Sequence, residues 1–204
     1  MTEQMGIVEI LGLAGSLSLL AGWRLYLCIL ATGIAMHFGV LPLPDHLEGL
    51  RILANPWVMG VAGVAAVMEF FADKVMWLDS VWDTVHTLIR PIGGALLTLA
   101  VVDPSDPATQ AIAFILGGGA TLLAHGGKAG ARAVVNTSPE PVSNIAVSTT
   151  EDVVTGGLLF LAYEFPLVAG AIALVLLGLS VALLLMARRL LKRLFRREES
   201  PASE

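Results

Sequence analysis

Charged residues are scarce in this 204-residue chain, and their scarcity indicates the class of protein. Only 14% of the residues are Asp, Glu, Lys or Arg, and 56% are hydrophobic, whereas soluble domains carry about 25% charged residues. The sequence also lacks the ten-residue segments of alternating hydrophobicity that build a membrane β-barrel. These two absences together predict a helical membrane protein.

Local signatures of catalysis and of cofactor binding are also missing. The chain has no HExxH or CxxC motif, and GGGATLLAHGGK is not a P-loop, which requires a glycine where Leu122 stands and Ser or Thr after Lys128. The single cysteine, Cys28, cannot form an intrachain disulfide. We therefore expect neither an enzyme nor a soluble cofactor.

The chain instead contains long apolar stretches, several near the roughly 20 residues that cross a bilayer. They are Met5–Val40, Pro56–Val67, Pro91–Val102, Ala108–Ala124 and Val153–Ala187. We predict one transmembrane domain, residues 1–187, followed by a basic and then acidic tail, residues 188–204. Because the N-terminus has no basic residue and no cleavage signature follows the first apolar run, we expect no cleaved signal peptide.

Small residues interrupt two of these stretches, at Ala21-Gly22 and at Gly117–Gly119. A weak internal alignment pairs Ser16–Gly22 with Gly119–His125, and Gly60–Phe70 with Thr155–Phe165. The predicted fold is all-α with two related halves, residues 5–103 and 107–187, each beginning with an interrupted helix or a re-entrant hairpin. Interrupted segments in corresponding halves point to a transporter-type binding site.

Arg24 lies inside the first apolar run, where an arginine is costly unless protein or water surrounds it. In one interpretation it extends from an interfacial turn towards water, beside the amphipathic residues Trp23 and Tyr26. In the other it faces the interior of the bundle. There it would pair with Glu69 or Glu164, or bind an anionic head group through its planar guanidinium.

Five further residues are candidates for a site at membrane depth. Glu69 and Glu164 each close an apolar segment just before a Phe; they are either helix ends that meet water or buried carboxylates that carry protons or bind cations. His125, Lys128 and Arg132 share one face of a helix. They would bind a phosphate or carboxylate, or they simply mark the cytoplasmic end of that helix.

The segment DKVMWLDSVWDTVHTLIRP, residues 73–91, is predicted to be an amphipathic helix with its acidic residues on one side. Asp73, Asp79, Asp83 and His86 offer oxygen and imidazole ligands for a divalent cation such as Mn or Zn. The alternative interpretation is a solvated helix face.

Six of the twelve Lys and Arg residues lie between Arg188 and Arg197, directly after an apolar run of spanning length. This position predicts a cytoplasmic C-terminus and a multi-pass protein of the bacterial inner membrane. The position of the basic tail indicates an anchor that contacts anionic membrane lipids, so we expect no nucleic-acid partner.

Three motifs, AGWR, EFFADKVMWLDSVWDTVHTLIRP and HGGKAGARAVVNTSPEPVSN, resemble a family of bacterial integral-membrane proteins known as domain of unknown function 4126. The resemblance extends from about Leu11 to about Val175. It implies a helical inner-membrane protein and brings no assigned activity. The likeness is carried by Arg24, Glu69, Asp73, Asp79, Asp83, Arg90, Lys128, Arg132, Asn136, Ser138, Glu140, Ser143 and Asn144.

The sequence is compatible with three functions. The leading hypothesis is a small transporter for an anionic solute or lipid head group, because Arg and Lys are in surplus on the interrupted segments. The second is a divalent-cation or proton-coupled channel or transporter that uses the acidic helix. The third is a membrane scaffold packed through small residues, and a homo-oligomer is compatible with all three.

Overall fold

The computed structural model describes residues 6–39, 45–102, 106–135 and 141–198. Six α-helices follow one another, with a 3-10 helix (Asp45–Ala54) between the first two: α1 (Ile7–His37), α2 (Pro56–Ala72), α3 (Met76–Leu99), α4 (Pro107–Val135), α5 (Pro141–Glu164) and α6 (Pro166–Glu198). No residue in these ranges belongs to a β-strand. The prediction of an all-α protein is therefore confirmed.

Four of the helices, α1, α4, α5 and α6, are long and apolar enough to cross a membrane. Large apolar side chains lie on the outside of the bundle; Ile115, Val153 and Leu174 are each about 70% exposed, at 69%, 70% and 72%. Such a surface suits a hydrocarbon environment and would be unfavourable in water. The helices are those expected of a multi-pass membrane protein.

Helix α3 confirms the predicted amphipathic pattern, and its polar side faces inward. Asp83 and Arg90 are buried, whereas Val81, Val85 and Leu88 are exposed on the opposite side. A helix at the surface of a soluble protein shows the reverse arrangement. The interpretation of this polar side as a solvated face is therefore wrong.

Helix α1 lies at the centre of the bundle and packs against α2, α3, α4, α5 and α6. Most of its residues between Gly12 and Gly22 are buried. At Arg24 the backbone leaves the helical conformation, with φ −144° and ψ 65°. The predicted interruption of the first apolar segment is thus present, two residues after Ala21-Gly22.

Helix α4 runs without a break through Gly117–Gly119, so the interruption predicted for the second half is wrong. The glycines serve close packing instead: a side chain at Gly117 would overlap Thr98 of α3, and one at Gly127 would lie 2.5 Å from the Cβ atom of Ser180 on α6. Small residues let membrane helices approach closely without breaking either helix. The relation between the two halves stays a prediction.

The starts and ends of α5 and α6 differ from the sequence pattern in one place. The polar residues and prolines between Asn136 and Asp152 are typical of a loop, but α5 already begins at Pro141. Residues 136–140 lie outside the described residues. The basic tail continues the helix α6 to Glu198, and residues 199–204 are likewise outside the described ranges.

Candidate functional site

Charged side chains from α1, α2, α3, α4 and α5 meet in the interior of the bundle, beside the break in α1. We call this group the charge cluster. Its members are Arg24, Glu69, Asp73, Lys74, Asp79, Asp83, Arg90, Lys128, Arg132, Glu151 and Asp152. Most of them are fully buried, although each isolated charge is costly to remove from water.

Asp73, in the turn between α2 and α3, is the centre of one part of the cluster. One of its oxygens, Oδ2, is 3.0 Å from Lys128 Nζ and 3.3 Å from Arg132 Nη2, and it also pairs with Arg24 Nη1. Burial raises the pKa of Asp73, but Lys128, Arg24 and Arg132 outweigh burial and hold this pKa below its usual value. Three cations from two helices therefore converge on one carboxylate.

Arg24 is 1% exposed, so it faces the interior and does not reach towards water. Its guanidinium also binds α5: Nη2 donates to the carbonyl oxygen of Ser148 at 3.2 Å and to its hydroxyl at 3.0 Å, and Nε is 3.0 Å from Asp152 Oδ1. The predicted partners Glu69 and Glu164 are replaced by Asp73, Asp152 and, at 3.6 Å, Glu151. Arg24 thus links α5 to the turn after α2.

Arg90 of α3 is the centre of the second part of the cluster. Its Nη2 is 2.6 Å from Glu69 Oε1, and its Nη1 is 3.5 Å from Asp83 Oδ1. The same Nη1 atom donates to the carbonyl oxygen of Gly22 at 3.0 Å, two residues before the break in α1. Glu69 is therefore a buried carboxylate, as one of its two interpretations predicted.

His125 of α4 is part of this network as a neutral ring. Its Nδ1 lies 2.8 Å from Arg90 Nη1, and because a guanidinium only donates, Nδ1 must accept. The proton is then on Nε2, which donates to the carbonyl oxygen of Asp83 at 3.1 Å. Of the three candidate cations on α4, only Lys128 and Arg132 are charged.

An aromatic group flanks the Arg90 side of the cluster. The hydroxyl of Tyr26 and Nε2 of His86 are 2.9 Å apart, and His86 Nδ1 is 2.7 Å from the carbonyl oxygen of Trp82. The indole of Trp82 stacks on the imidazole of His86, with 4.2 Å between ring centroids. These contacts hold the part of α1 that follows Arg24 against α3.

The four residues predicted to bind a divalent cation, Asp73, Asp79, Asp83 and His86, do not surround a common point. Within the described ranges, no group of three or more His, Cys, Asp or Glu side chains is arranged to hold a metal ion. Asp73 and Asp83 face protein cations instead, and Asp79 lies 4.0 Å from Arg132. Burial raises the pKa of Asp79 to about 6.

Glu164 lies apart from the cluster. It is exposed at the end of α5 and lines the edge of a mostly apolar cavity of about 220 Å³ between α1 and α5, together with Ala35 and Tyr163. Its surroundings thus differ from those of Glu69, with which the internal alignment pairs it. Of the six predicted substrate-binding residues, the structure gathers Arg24, Glu69, His125, Lys128 and Arg132.

Some atoms of the cluster have no hydrogen-bond partner among the residues that the structure describes. These are the carboxylate oxygens Glu69 Oε2 and Asp73 Oδ1, and the guanidinium nitrogens Arg90 Nε and Arg132 Nε. Buried polar atoms are nearly always satisfied by protein or by ordered water. The network therefore has capacity for water, a proton or an ion.

Sequence reasoning missed the contribution of α5. Ser148, Glu151 and Asp152 lie in a polar stretch whose composition is typical of a loop, although their i, i+3, i+4 spacing is helical. Arg90 continues the helical spacing of Asp83 and His86, but it is not among the site residues predicted from the sequence. The helical spacing of Arg90 from the acidic residues before it was the sequence signal that it belongs to the same site.

Comparison with known proteins gives a family for this chain but no characterised relative. No curated protein and no solved structure matches the chain. One family model matches residues 11–186, which is most of the chain. The chain therefore belongs to the family described as Domain of unknown function (DUF4126).

Proposed function

We propose that the protein is a small membrane transporter in which the charge cluster is the ion site. The observation that carries this proposal is the meeting of buried ionic groups from five helices at the break in α1. Helix packing alone needs no charges, and well-packed apolar residues in their place are often as stable or more stable. Ionisable residues inside membrane bundles mark ion or proton paths.

The charge balance favours a small cation or a proton over an anion. The cluster holds six carboxylates, on Glu69, Asp73, Asp79, Asp83, Glu151 and Asp152, and five cations, on Arg24, Lys74, Arg90, Lys128 and Arg132. The surplus of Arg and Lys expected from the sequence is thus offset by acidic residues. An anionic solute or lipid head group would first have to displace Asp73 from three cations.

The direction of the chain in the membrane follows from its last helix. The end of α6 carries the basic run that begins at Arg188, so we place this end in the cytoplasm and the protein in the inner membrane. Lys128 and Arg132 lie towards the end of α4 that precedes α5, and Lys74 lies in the α2–α3 turn. On this view the cluster faces the cytoplasmic half of the bundle.

The proposal is tested by ion flux into proteoliposomes that contain the full chain. Dyes sensitive to pH and to sodium would report flux through the native protein and through two matched variants, Glu69→Gln and Glu164→Gln. We expect at least a tenfold loss of flux in E69Q, because it removes a buried carboxylate of the cluster, and no change in E164Q.

Two outcomes would contradict the proposal. If the native protein transports neither protons nor sodium, the charges serve structure only, and a membrane scaffold becomes the better hypothesis. If E69Q and E164Q behave alike while the native protein is active, the ion site lies elsewhere. Comparison of both variants by thermal unfolding in detergent separates lost flux from lost folding.

A further inference from the structure

We infer that α1 is a re-entrant hairpin with its tip at Trp23–Arg24, and that the carbonyl oxygens freed at the tip are ligands for the transported cation. The part that concerns the cation rests on the proposed function; the hairpin does not. Helix α1 touches α5 or the start of α6 at three places, and together these contacts define the hairpin.

We call residues 7–23 of α1 its first arm and residues 25–37 its second arm. The first arm begins beside the junction of α5 and α6. At Gly12 an added Cβ atom would lie 2.9 Å from the carbonyl carbon of Pro166, and one at Gly170 would lie 2.6 Å from Gly12 Cα. The first arm therefore runs from the tip to the level of Pro166.

The second arm ends beside the same junction. The hydroxyl of Tyr163 donates to Thr32 Oγ1 at 3.0 Å, and Ala35 lines the same cavity as Glu164. Glu164 precedes Pro166 by two residues, a distance of about 7 Å. Residues 12 and 35 are therefore close to one level of the bundle.

A straight helix cannot make both sets of contacts. Its rise of about 1.5 Å per residue would separate Gly12 from Ala35 by about 35 Å. The geometry of α5 agrees with a reversal of the chain at Arg24, because Ser148 and Asp152 contact Arg24. Further along the chain, Tyr163 bonds Thr32 of the second arm, and Pro166 lies beside Gly12 of the first arm. The non-helical backbone at Arg24 supplies the reversal.

A hairpin tip leaves the last carbonyl groups of its first arm without helical partners. Two of them accept from cations of the cluster: Gly22 from Arg90 Nη1 at 3.0 Å, and Trp23 from Lys128 Nζ at 3.2 Å. The carbonyl end of a helix carries partial negative charge and attracts cations. Broken helices in transporters bind ions at such ends.

The oxygen atoms around Lys128 are suited to a small cation. Its ammonium group is held by one carbonyl oxygen, from Trp23, and by two carboxylates, Asp73 at 3.0 Å and Glu151 at 3.5 Å. Nearby, Asp73 Oδ1 and Glu69 Oε2 have no hydrogen-bond donor among the described residues, and both residues are at most 1% exposed. If the ammonium group of Lys128 moved out of this position, these oxygen atoms would be able to coordinate a sodium ion in its place.

The hairpin is tested by cysteine labelling of the full chain in right-side-out vesicles with an impermeant maleimide. Val8→Cys and Phe38→Cys replace exposed residues near the two ends of α1, and Phe165→Cys and Arg188→Cys mark the two ends of the apolar part of α6. The native Cys28 is buried. We expect V8C, F38C and F165C to react from one side, and R188C from the other.

Labelling of F38C from the side of R188C would show that α1 crosses the membrane and would overturn the hairpin. Spin labels at residues 8 and 38 give an independent measurement. A straight helix would hold them about 45 Å apart, whereas a hairpin brings them within about 25 Å, a distance that electron paramagnetic resonance measures directly. Neither measurement depends on transport.

The cation ligands are tested with Lys128→Met, which removes the resident ammonium but keeps an unbranched side chain. In detergent, sodium chloride should raise the unfolding temperature of K128M more than N-methylglucamine chloride at equal ionic strength. Asp73→Asn added to K128M should abolish that difference, and Glu164→Gln added to K128M should not. Equal effects of the two salts on K128M, or an unchanged difference in the D73N double variant, would overturn the cation site.

Discussion

Helices α1, α3 and α4 meet at two levels, and the two levels differ in chemistry. One is the charge cluster. The other, which we call the hydroxyl layer, consists of Ser18, Gly94, Thr98, Gly117 and Thr121. In this layer Thr98 fits against Gly117 and Thr121 fits against Gly94, so that α3 and α4 each supply one glycine and one threonine four residues apart.

Every hydroxyl in the hydroxyl layer has a partner. Ser18 Oγ donates to the carbonyl oxygen of Ala14 at 2.7 Å, Thr98 Oγ1 to that of Gly94 at 2.8 Å, and Thr121 Oγ1 to that of Gly117 at 2.7 Å. The charge cluster, in contrast, leaves carboxylate oxygens and guanidinium nitrogens without partners among the described residues. A layer whose polar atoms all have hydrogen-bond partners stabilises helix packing, whereas a group of polar atoms that lack partners is able to bind water or an ion.

The largest effect on stability is expected for Asp73→Asn. This change leaves Arg24, Lys128 and Arg132 without their shared carboxylate, and removal of one partner from a buried ion pair costs about 3–5 kcal/mol. Unfolding in detergent measures the loss, with Glu164→Gln as the exposed control. A loss below about 1 kcal/mol would mean that the remaining acids compensate for Asp73.

A smaller loss, about 1–3 kcal/mol, is expected for Gly117→Ala, because the added methyl group overlaps Thr98 in a tightly packed layer. Gly119→Ala is the matched control on the same helix, since no atom lies within 4 Å of an added Cβ there. The same unfolding assay compares the two. If G117A is as stable as G119A, the hydroxyl layer is less tightly packed than the structure indicates.

Thr98→Val should cost about 0.5–1.5 kcal/mol through lost hydrogen bonds and should leave ion flux unchanged. Thr149→Val is the matched control, because its hydroxyl also bonds a carbonyl oxygen four residues earlier but is exposed. Proteoliposome flux and unfolding are both measured. Loss of flux in T98V would extend the functional region into the hydroxyl layer.

The smallest effect is expected for Asp79→Asn. Burial raises the pKa of Asp79 from its usual 3.8 to about 6, so the folded state binds its proton more tightly than the unfolded state does. This group therefore lowers stability as pH rises from about 4 to 6. The unfolding temperature of D79N should fall less over that range than that of the native protein; an equal fall would assign the dependence to another group.

The sequence was sufficient to predict the polar face of α3, because acidic and basic residues recur at helical spacing from Asp79 to Arg90. It also located the break in α1 to within two residues. It could not show which way the polar face points, because inward and outward placement give the same periodicity. That information comes from the apolar side chains around it, such as Val81 and Leu88.

The glycine run in α4 shows where local reasoning fails. Gly117–Gly119 is a sequence signal for a break, but the same residues allow α3 to approach closely, and the packing contacts across the interface maintain the helix. The role of Glu151 was hidden for a related reason. Its partners Arg24, Lys128 and Arg132 are remote in sequence, and only the folded chain brings them together.

The stacking of Trp82 on His86 provides an optical probe of the protein. Protonated imidazole quenches the emission of an indole in face-to-face contact, and neutral imidazole does so far less. Trp82 directly precedes Asp83 in the chain and lies about two turns from Arg90. Its fluorescence should therefore register protons that arrive at this end of the charge cluster, with no dye attached to the chain.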